Sequence, residues 1–293
     1  MHKGLLIILA VLALQVYSSY NYTRYYDRDD SYYQSYCLQL CEMSDGEADA
    51  FIKSEADRFE AIKQSGAYNA YEELYPERGF IMAKEQYELT RSLGGHAEDC
   101  YYQTGYRHIF GLKGLTKDYT LGLIAITALC LCLSPVVAYD NRCRIGYILF
   151  TTHHGKKTYN CHNRLMALLI AVTVSMSTYI PYLVQMLITY GSKGLTDSVR
   201  YISELQALPN ISVLGYIILL TLYRTAILIL FSQLLLWISS KCQSQTTAMI
   251  ITLSLFALPI VIYLAGGTVM EWLSLPVSGN REVGWVCGIL YNH

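Results

Sequence analysis

Asp140-Asn-Arg-Cys-Arg-Ile-Gly-Tyr-Ile-Leu-Phe-Thr-Thr-His-His-Gly-Lys-Lys157 is a basic stretch set between two apolar runs, residues 119–139 and 165–190, each long enough to cross a bilayer. Between residues 141 and 164 there are five Lys or Arg and no Asp or Glu. Short loops with such an excess stay on the cytoplasmic side when a chain inserts, so this stretch orients its neighbours. Two further runs, 211–239 and 246–266, meet the same length requirement. With 53% hydrophobic and 15% charged residues and a mean hydropathy of +0.26, the chain holds more apolar material than a soluble core of 293 residues needs. The expected fold class is all-α: a polytopic helical membrane protein with a small helical extracellular domain.

A shorter run, residues 4–18, follows Lys3 directly. It reads either as a short first span or as a signal peptide with Val16 and Ser18 before the cut; both put the next segment outside. Tyr17, Tyr20, Tyr22, Tyr25 and Tyr26 behind it suit an interfacial aromatic belt and favour the span. The expected organisation is a first span over 1–20, an extracellular helical domain over 21–117, and a four-span membrane domain over 118–266 with a cytoplasmic loop at 140–164. A re-entrant or extracellular tail follows over 267–293, since Pro276, Gly279 and Gly284 break that segment too often for a sixth span. Charge agrees with this order. Residues 21–117 hold 17 Asp and Glu against 11 Lys and Arg, so the net charge of −1 conceals a polarised chain. Nothing in it suggests nucleic-acid binding.

Within the outside segment, Ser44 and Glu47 are spaced as a capping box. Ala48, Phe51, Ile52, Phe59 and Ile62 then recur at helical spacing until Gly66. A second helix is expected over 80–93, with Ile81, Met82 and Leu89 on its apolar side and Gly94-Gly95 ending it. The tyrosine-rich segment before them reads as a lead-in. Such a domain is either a cap that contacts substrate or partner, or a spacer packed on the spans.

The nine cysteines divide by compartment. Cys37, Cys41 and Cys100 lie in the outside domain, joined by Cys287 if the tail is also outside; one or two disulfides are open, with no pairing deducible. Cys130 and Cys132 read as small packing residues of a span, and Cys143, Cys161 and Cys242 as reduced cytoplasmic thiols. His153, His154, Cys161 and His162 invite a zinc reading, but their spacing is not an established ligand pattern and no metal site is expected. The chain has no Gly-x4-Gly-Lys-Ser/Thr loop, no His-Glu-x-x-His and no Gly-x-Ser-x-Gly. An intramembrane enzyme is disfavoured for the same reason: no span carries paired carboxylates, a histidine pair or a nucleophile with its base. If ATP energy is used, another chain must hydrolyse it.

The order of spans, together with Asp140, Gly146, Ile148-Leu149, Thr151-Thr152, Gly155-Lys156 and Arg164 in the loop, resembles the permease subunits of type-two ABC exporters, particularly the form common in Gram-positive bacteria. In that family the loop after the second span docks on an ATP-binding subunit. The resemblance therefore implies an ATPase-coupling loop of Asp140, Gly146, Thr151, Thr152, Gly155, Lys156 and Arg164. It also implies an ABC ATP-binding subunit as partner, a homodimer or a heterodimer with a related permease, and no cofactor in this chain, ATP and Mg being held by the partner. The residues themselves suggest a short surface helix with Arg144, Ile145, Ile148, Leu149 and Thr152, ended by Gly155. A basic loop that only anchors the chain is the plainer alternative. A second alternative for the whole chain is a membrane receptor or accessory protein sensing a peptide or partner through its acidic outside domain.

Arg224 falls near the middle of the run 211–239, where a guanidinium is costly unless partnered. With Thr221, Thr225 and Ser232 at compatible spacing it forms a polar stripe expected to face the bundle interior or a dimer interface. Its two readings are contact with an anionic substrate or lipid head group, and hydrogen bonding to neighbouring helices. Pro135, Pro181 and Pro259 each interrupt a span and would kink it.

Overall fold

The computed structural model describes residues 2–23, 28–65, 69–112, 115–142, 155–256, 258 and 261–262. Every longer element among them is an α-helix, so the all-α expectation holds. In chain order the helices are α1 (His2–Thr23), α2 (Arg28–Cys41), α3 (Asp45–Gln64), α4 (Ala70–Ser92), α5 (Thr104–Ile109), α6 (Leu115–Arg142), α7 (Gly155–Tyr190), α8 (Val213–Lys241) and α9 (Gln245–Phe256). The chain divides into two compact units. The first draws on Met1–Tyr20, Gly114–Gln185 and Leu219–Val283, the second on Asn21–Lys113 and Met186–Ile218.

Among the described residues, two stretches are long and apolar enough to cross a membrane: Lys157–Tyr190 and Val213–Lys241. The apolar parts of the other helices, Leu6–Ser18, Thr120–Ser134 and Gln245–Leu255, are shorter. Their buried faces follow the helical repeat, as with Leu121, Ala125, Leu129 and Leu133 on α6, or Ala167, Ala171, Val174 and Thr178 on α7. The α7 face is mostly small, which lets backbones approach; Ala138, Cys242 and Ala248 form a further cluster of small buried residues. The Ser239 hydroxyl donates to the Ser134 carbonyl at 2.6 Å and ties α8 to α6.

Two local expectations change here. Gly155 stands at the start of α7, so residues 155–164 are the first turns of a long helix rather than loop. No breaker stands between Gly155 and Leu165, and the polar residues there extend the helix beyond its apolar part. Likewise Asp140 lies in the last turn of α6. The expected surface helix with Arg144, Ile145, Ile148, Leu149 and Thr152 lies outside the described residues, as does Pro259. Pro181 does lie inside α7, which continues through it.

The second unit is more elaborate than two amphipathic helices. The capping box at Ser44 is formed, Glu47 Oε2 accepting from the Ser44 N–H at 2.9 Å and its hydroxyl at 2.7 Å. Ala48, Ile52 and Phe59 are buried along α3. The tyrosine-rich lead-in is itself helix α2, burying Tyr33, Cys37 and Leu40, and α4 begins ten residues earlier than expected, through Pro76. The buried face of α4 is Phe80, Ala83, Tyr87 and Thr90, whereas Ile81 is 42% exposed. Gln86 and Thr90 can lie inside because they are hydrogen-bonded: Gln86 Nε2 donates to the Tyr201 carbonyl at 3.0 Å and the Thr90 hydroxyl to the Gln86 carbonyl at 2.9 Å.

The α7–α8 connector, expected to belong with the spans, packs in this second unit. It closes on itself through Val199 N–H to the Ile211 carbonyl at 2.8 Å and Val213 N–H to the Asp197 carbonyl at 2.9 Å. Gln86 Nε2 and Gln103 Nε2 then both donate to the Tyr201 carbonyl, and the Tyr106 hydroxyl donates to the Lys193 carbonyl at 2.7 Å. Gly194 is required there. Its φ is +85°, and a Cβ would sit 2.5 Å from the Tyr101 ring.

Candidate functional site

The residues singled out in the first unit fall into two places. Arg224 lies about 16 Å along α8 from its start, at 1.5 Å per residue, and is 5% exposed. Its guanidinium carbon is 5.0 Å from the centre of the Tyr179 ring of α7, a cation–π contact between neighbouring helices. One turn of geometry away, the Thr225 hydroxyl meets the Ser175 hydroxyl of α7 at 2.7 Å and donates to the Thr221 carbonyl at 2.8 Å. Thr221, Arg224 and Thr225 thus share one stretch of α8, with Arg224 and Thr225 turned into the unit.

Beside Arg224 is a cavity of about 10 Å³, lined by Gly122 and Ile126 of α6, Tyr179 of α7, and Arg224 and Phe231 of α8. That is room for about one water molecule. A buried cation against an aromatic face, with a water-sized space, can hold an anionic oxygen or an ordered water. Tyr179 and Ser175 were not among the expected site residues. Ser175, Thr178 and Tyr179 are spaced i, i+3, i+4 on α7, the signal that could have found them.

The coupling-loop residues are described only in part. Gly146, Thr151 and Thr152 lie outside the described residues. Gly155 and Lys156 are on the first turn of α7 and Arg164 is exposed further along it, on the far side of the undescribed segment from Asp140. Lys157, Cys161, Arg164, Leu165 and Leu168 line an open cleft of about 630 Å³ together with Ile229 and Gln233 of α8. The cleft combines two cations with an apolar floor. Of the zinc candidates, Cys161 and His162 are exposed, while His153 and His154 lie outside the described residues. Among the described residues no group of three His, Cys, Asp or Glu is placed to hold a metal ion.

In the second unit a polar cluster surrounds Asp45, at the start of α3. Its carboxylate accepts from Arg91 Nη1 at 2.6 Å and the Ala97 N–H at 2.8 Å, and contacts His96 Nδ1 at 3.0 Å. The His96 hydrogen bond, the Ala97 amide and the Arg91 charge hold Asp45 below the usual carboxylate range. The same carboxylate raises His96. Because His96 is raised on folding, its contribution is complete below about pH 6.5, the ordinary histidine value, and fades as pH rises through the raised one. The depressed Asp45 works the other way, contributing above about pH 4 and failing as pH falls through its lowered value. Amide-exchange protection at Ala97 is expected to peak between those limits. In His96→Asn the decline on the alkaline side should vanish; a decline that persists would assign it to another group.

No protein-family model, curated protein or solved structure matches this chain.

Proposed function

We propose that the chain is a multi-pass plasma-membrane protein and acts as the permease subunit of an ABC-type exporter, with residues 21–117 extracellular. Arg224 carries the reading as a transport protein. An arginine in the interior of an apolar helix is expensive in a bilayer, and such residues mark substrate or ion paths. Two observations support the membrane setting. The long helices present large apolar side chains outward, among them Leu169, Ile180 and Ile188 on α7 and Leu222, Leu230 and Trp237 on α8, as lipid-facing helices do. The α7–α8 connector and residues 21–113 form one unit, which alternating spans require if both lie on the same face.

The exporter class comes from the loop resemblance. In this reading residues 140–164 dock on an ABC ATP-binding subunit that holds ATP and Mg, and this chain has no ATPase activity of its own. The permease pairs with a second copy or a related chain.

The full tagged chain, purified in mild detergent, is expected to bring an ABC ATP-binding subunit in near-stoichiometric amount. Reversing charge with Lys156→Glu and Lys157→Glu should reduce that recovery at least tenfold while the chain stays folded. Unchanged recovery would remove the docking role from these lysines. A folded wild-type chain that brings no ATPase would favour the receptor reading, which draws on the separately packed, acidic second unit.

A further inference from the structure

Lys157, Asn160, Cys161, Arg164, Leu165 and Leu168 recur at helical spacing and fall along one face of α7, where they form one wall of the cleft of about 630 Å³. The other wall is Ile229 and Gln233 of α8. Tyr179 lies against Arg224 and Ser175 against Thr225, so α8 advances as α7 recedes, and Gln233 comes level with Leu168. Polarity is graded along the cleft. Lys157, Asn160 and Arg164 precede the apolar run 165–190, whereas Leu165, Leu168 and Ile229 lie within apolar runs. At 1.5 Å per residue, the α7 wall extends about 16 Å from its cationic end at Lys157 to its apolar end at Leu168.

The walls do not neutralise the cations. Neither α7 nor α8 contains an Asp or Glu. Lys157 and Arg164 are exposed and have no ion-pair partner among the described residues. An anion from outside the chain would complement them, but a soluble anion would leave the apolar floor uncovered, with Leu165 55% and Leu168 38% exposed.

We propose that this cleft holds one anionic phospholipid from the leaflet on the side of the basic loop. Its phosphate lies between Lys157 and Arg164, with the planar guanidinium donating to two phosphate oxygens and the Asn160 amide to another headgroup oxygen. One acyl chain runs along Leu165, Leu168 and Ile229. The order along α7, cationic and then apolar, is that of a lipid at the edge of a bilayer, and basic pockets between spanning helices at this depth take anionic head groups. A water-soluble subunit would not reach the apolar end, which lies inside the bilayer. A zwitterionic lipid brings its own cation to the basic end and is disfavoured there. The inference rests on the reading that α7 and α8 span a membrane, and it does not require an ATPase partner.

The test is native mass spectrometry of the full chain, delipidated in mild detergent and given dioleoyl phosphatidylglycerol or dioleoyl phosphatidylcholine. It is separated from any bound subunit first, because Lys157 and Arg164 also belong to the stretch assigned to docking. Wild type is expected to hold one phosphatidylglycerol about tenfold more tightly than phosphatidylcholine, since each Lys or Arg beside the head group favours the anionic lipid. Lys157→Gln combined with Arg164→Gln should abolish the preference; both side chains are exposed, so the packing of α7 is kept. Lys241→Gln, at the end of α8 and outside the cleft, should retain it. Cys161 locates the lipid: phosphatidylglycerol should protect its thiol from N-ethylmaleimide, and phosphatidylcholine should not. Equal affinity for the two lipids, a preference that survives the double substitution or is lost equally in Lys241→Gln, or an unprotected Cys161 overturns the proposal. So does displacement of the lipid by inorganic phosphate at constant ionic strength, which would make the cleft a site for free anions. Extraction of native membranes with alkaline carbonate reads the spanning helices separately. Release of the chain ends that reading and the proposal with it, whereas a retained chain with no lipid preference ends the proposal alone.

Discussion

Gly79→Leu is expected to unseat α2 from α4 and to lower amide-exchange protection across both helices by about two orders of magnitude, equivalent to about 3 kcal/mol. Gly79 is a point of close approach between the two helices. A Cβ there would lie 2.6 Å from Tyr32 Cβ and 2.7 Å from the Tyr33 backbone nitrogen. Neither atom is the far end of a flexible side chain, so the helices themselves must move apart. Tyr33, Cys37, Phe80 and Ala83, buried on either side of the crossing, would then lose their packing together. Gly46 supplies the control. It is exposed in the first turn of α3, and nothing lies within 4 Å of a Cβ built there. Gly46→Ala should leave protection unchanged or raise it by up to about 1 kcal/mol through helix propensity alone. Equal effects at the two positions would mean that the crossing at Gly79 contributes nothing special.

Arg224→Leu is the second large effect, and it separates a functional cation from a structural one. Leucine removes the cost of a guanidinium in an apolar helix, about 2.5–3.5 kcal/mol on insertion scales, and gives up the Tyr179 contact, about 0.5–2 kcal/mol. The variant is therefore expected to insert and fold at least as well as the parent by thermal unfolding in detergent. Under the permease proposal, substrate-stimulated ATPase activity of the proposed complex, or transport once the substrate is identified, should fall at least tenfold. Arg224→Lys should recover part of it, since the charge is kept and the planar face on Tyr179 is lost. Weakened folding with undiminished activity in the surviving protein would make Arg224 a packing residue that ties α8 to α7.

Much of the helical pattern was legible because it is local. The capping box at Ser44 and Glu47 and the repeat through Ala48, Ile52 and Phe59 depend on spacing alone, and α3 forms where they indicate. The apolar lengths that mark α7 and α8 are equally local. The face of α4 was not legible in this way. Ile81 outranks Gln86 in hydropathy, yet Gln86 is inside because the Tyr201 carbonyl, more than a hundred residues later, accepts from it. The lead-in helix α2 was missed for a related reason: its inner face is Tyr33, Cys37 and Leu40, which read as a tyrosine-rich lead-in with one candidate disulfide cysteine before their neighbours are known.

By itself, the sequence determined the class of the chain: helical, apolar over several long runs, with an acidic segment and a basic loop at opposite ends of the charge pattern. These follow from composition and from the repeat of the helix. Only the tertiary structure decided which polar residues lie inside. It set Arg224 over Tyr179, joined Thr225 to Ser175, engaged the Cys41 thiol with Glu98 and Lys193, and stitched the α7–α8 connector to the segment of α4 and α5. The reason is physical: a buried polar group is tolerable only with a partner, and the partner is supplied by whichever element folds against it, at a distance in sequence that no local pattern records.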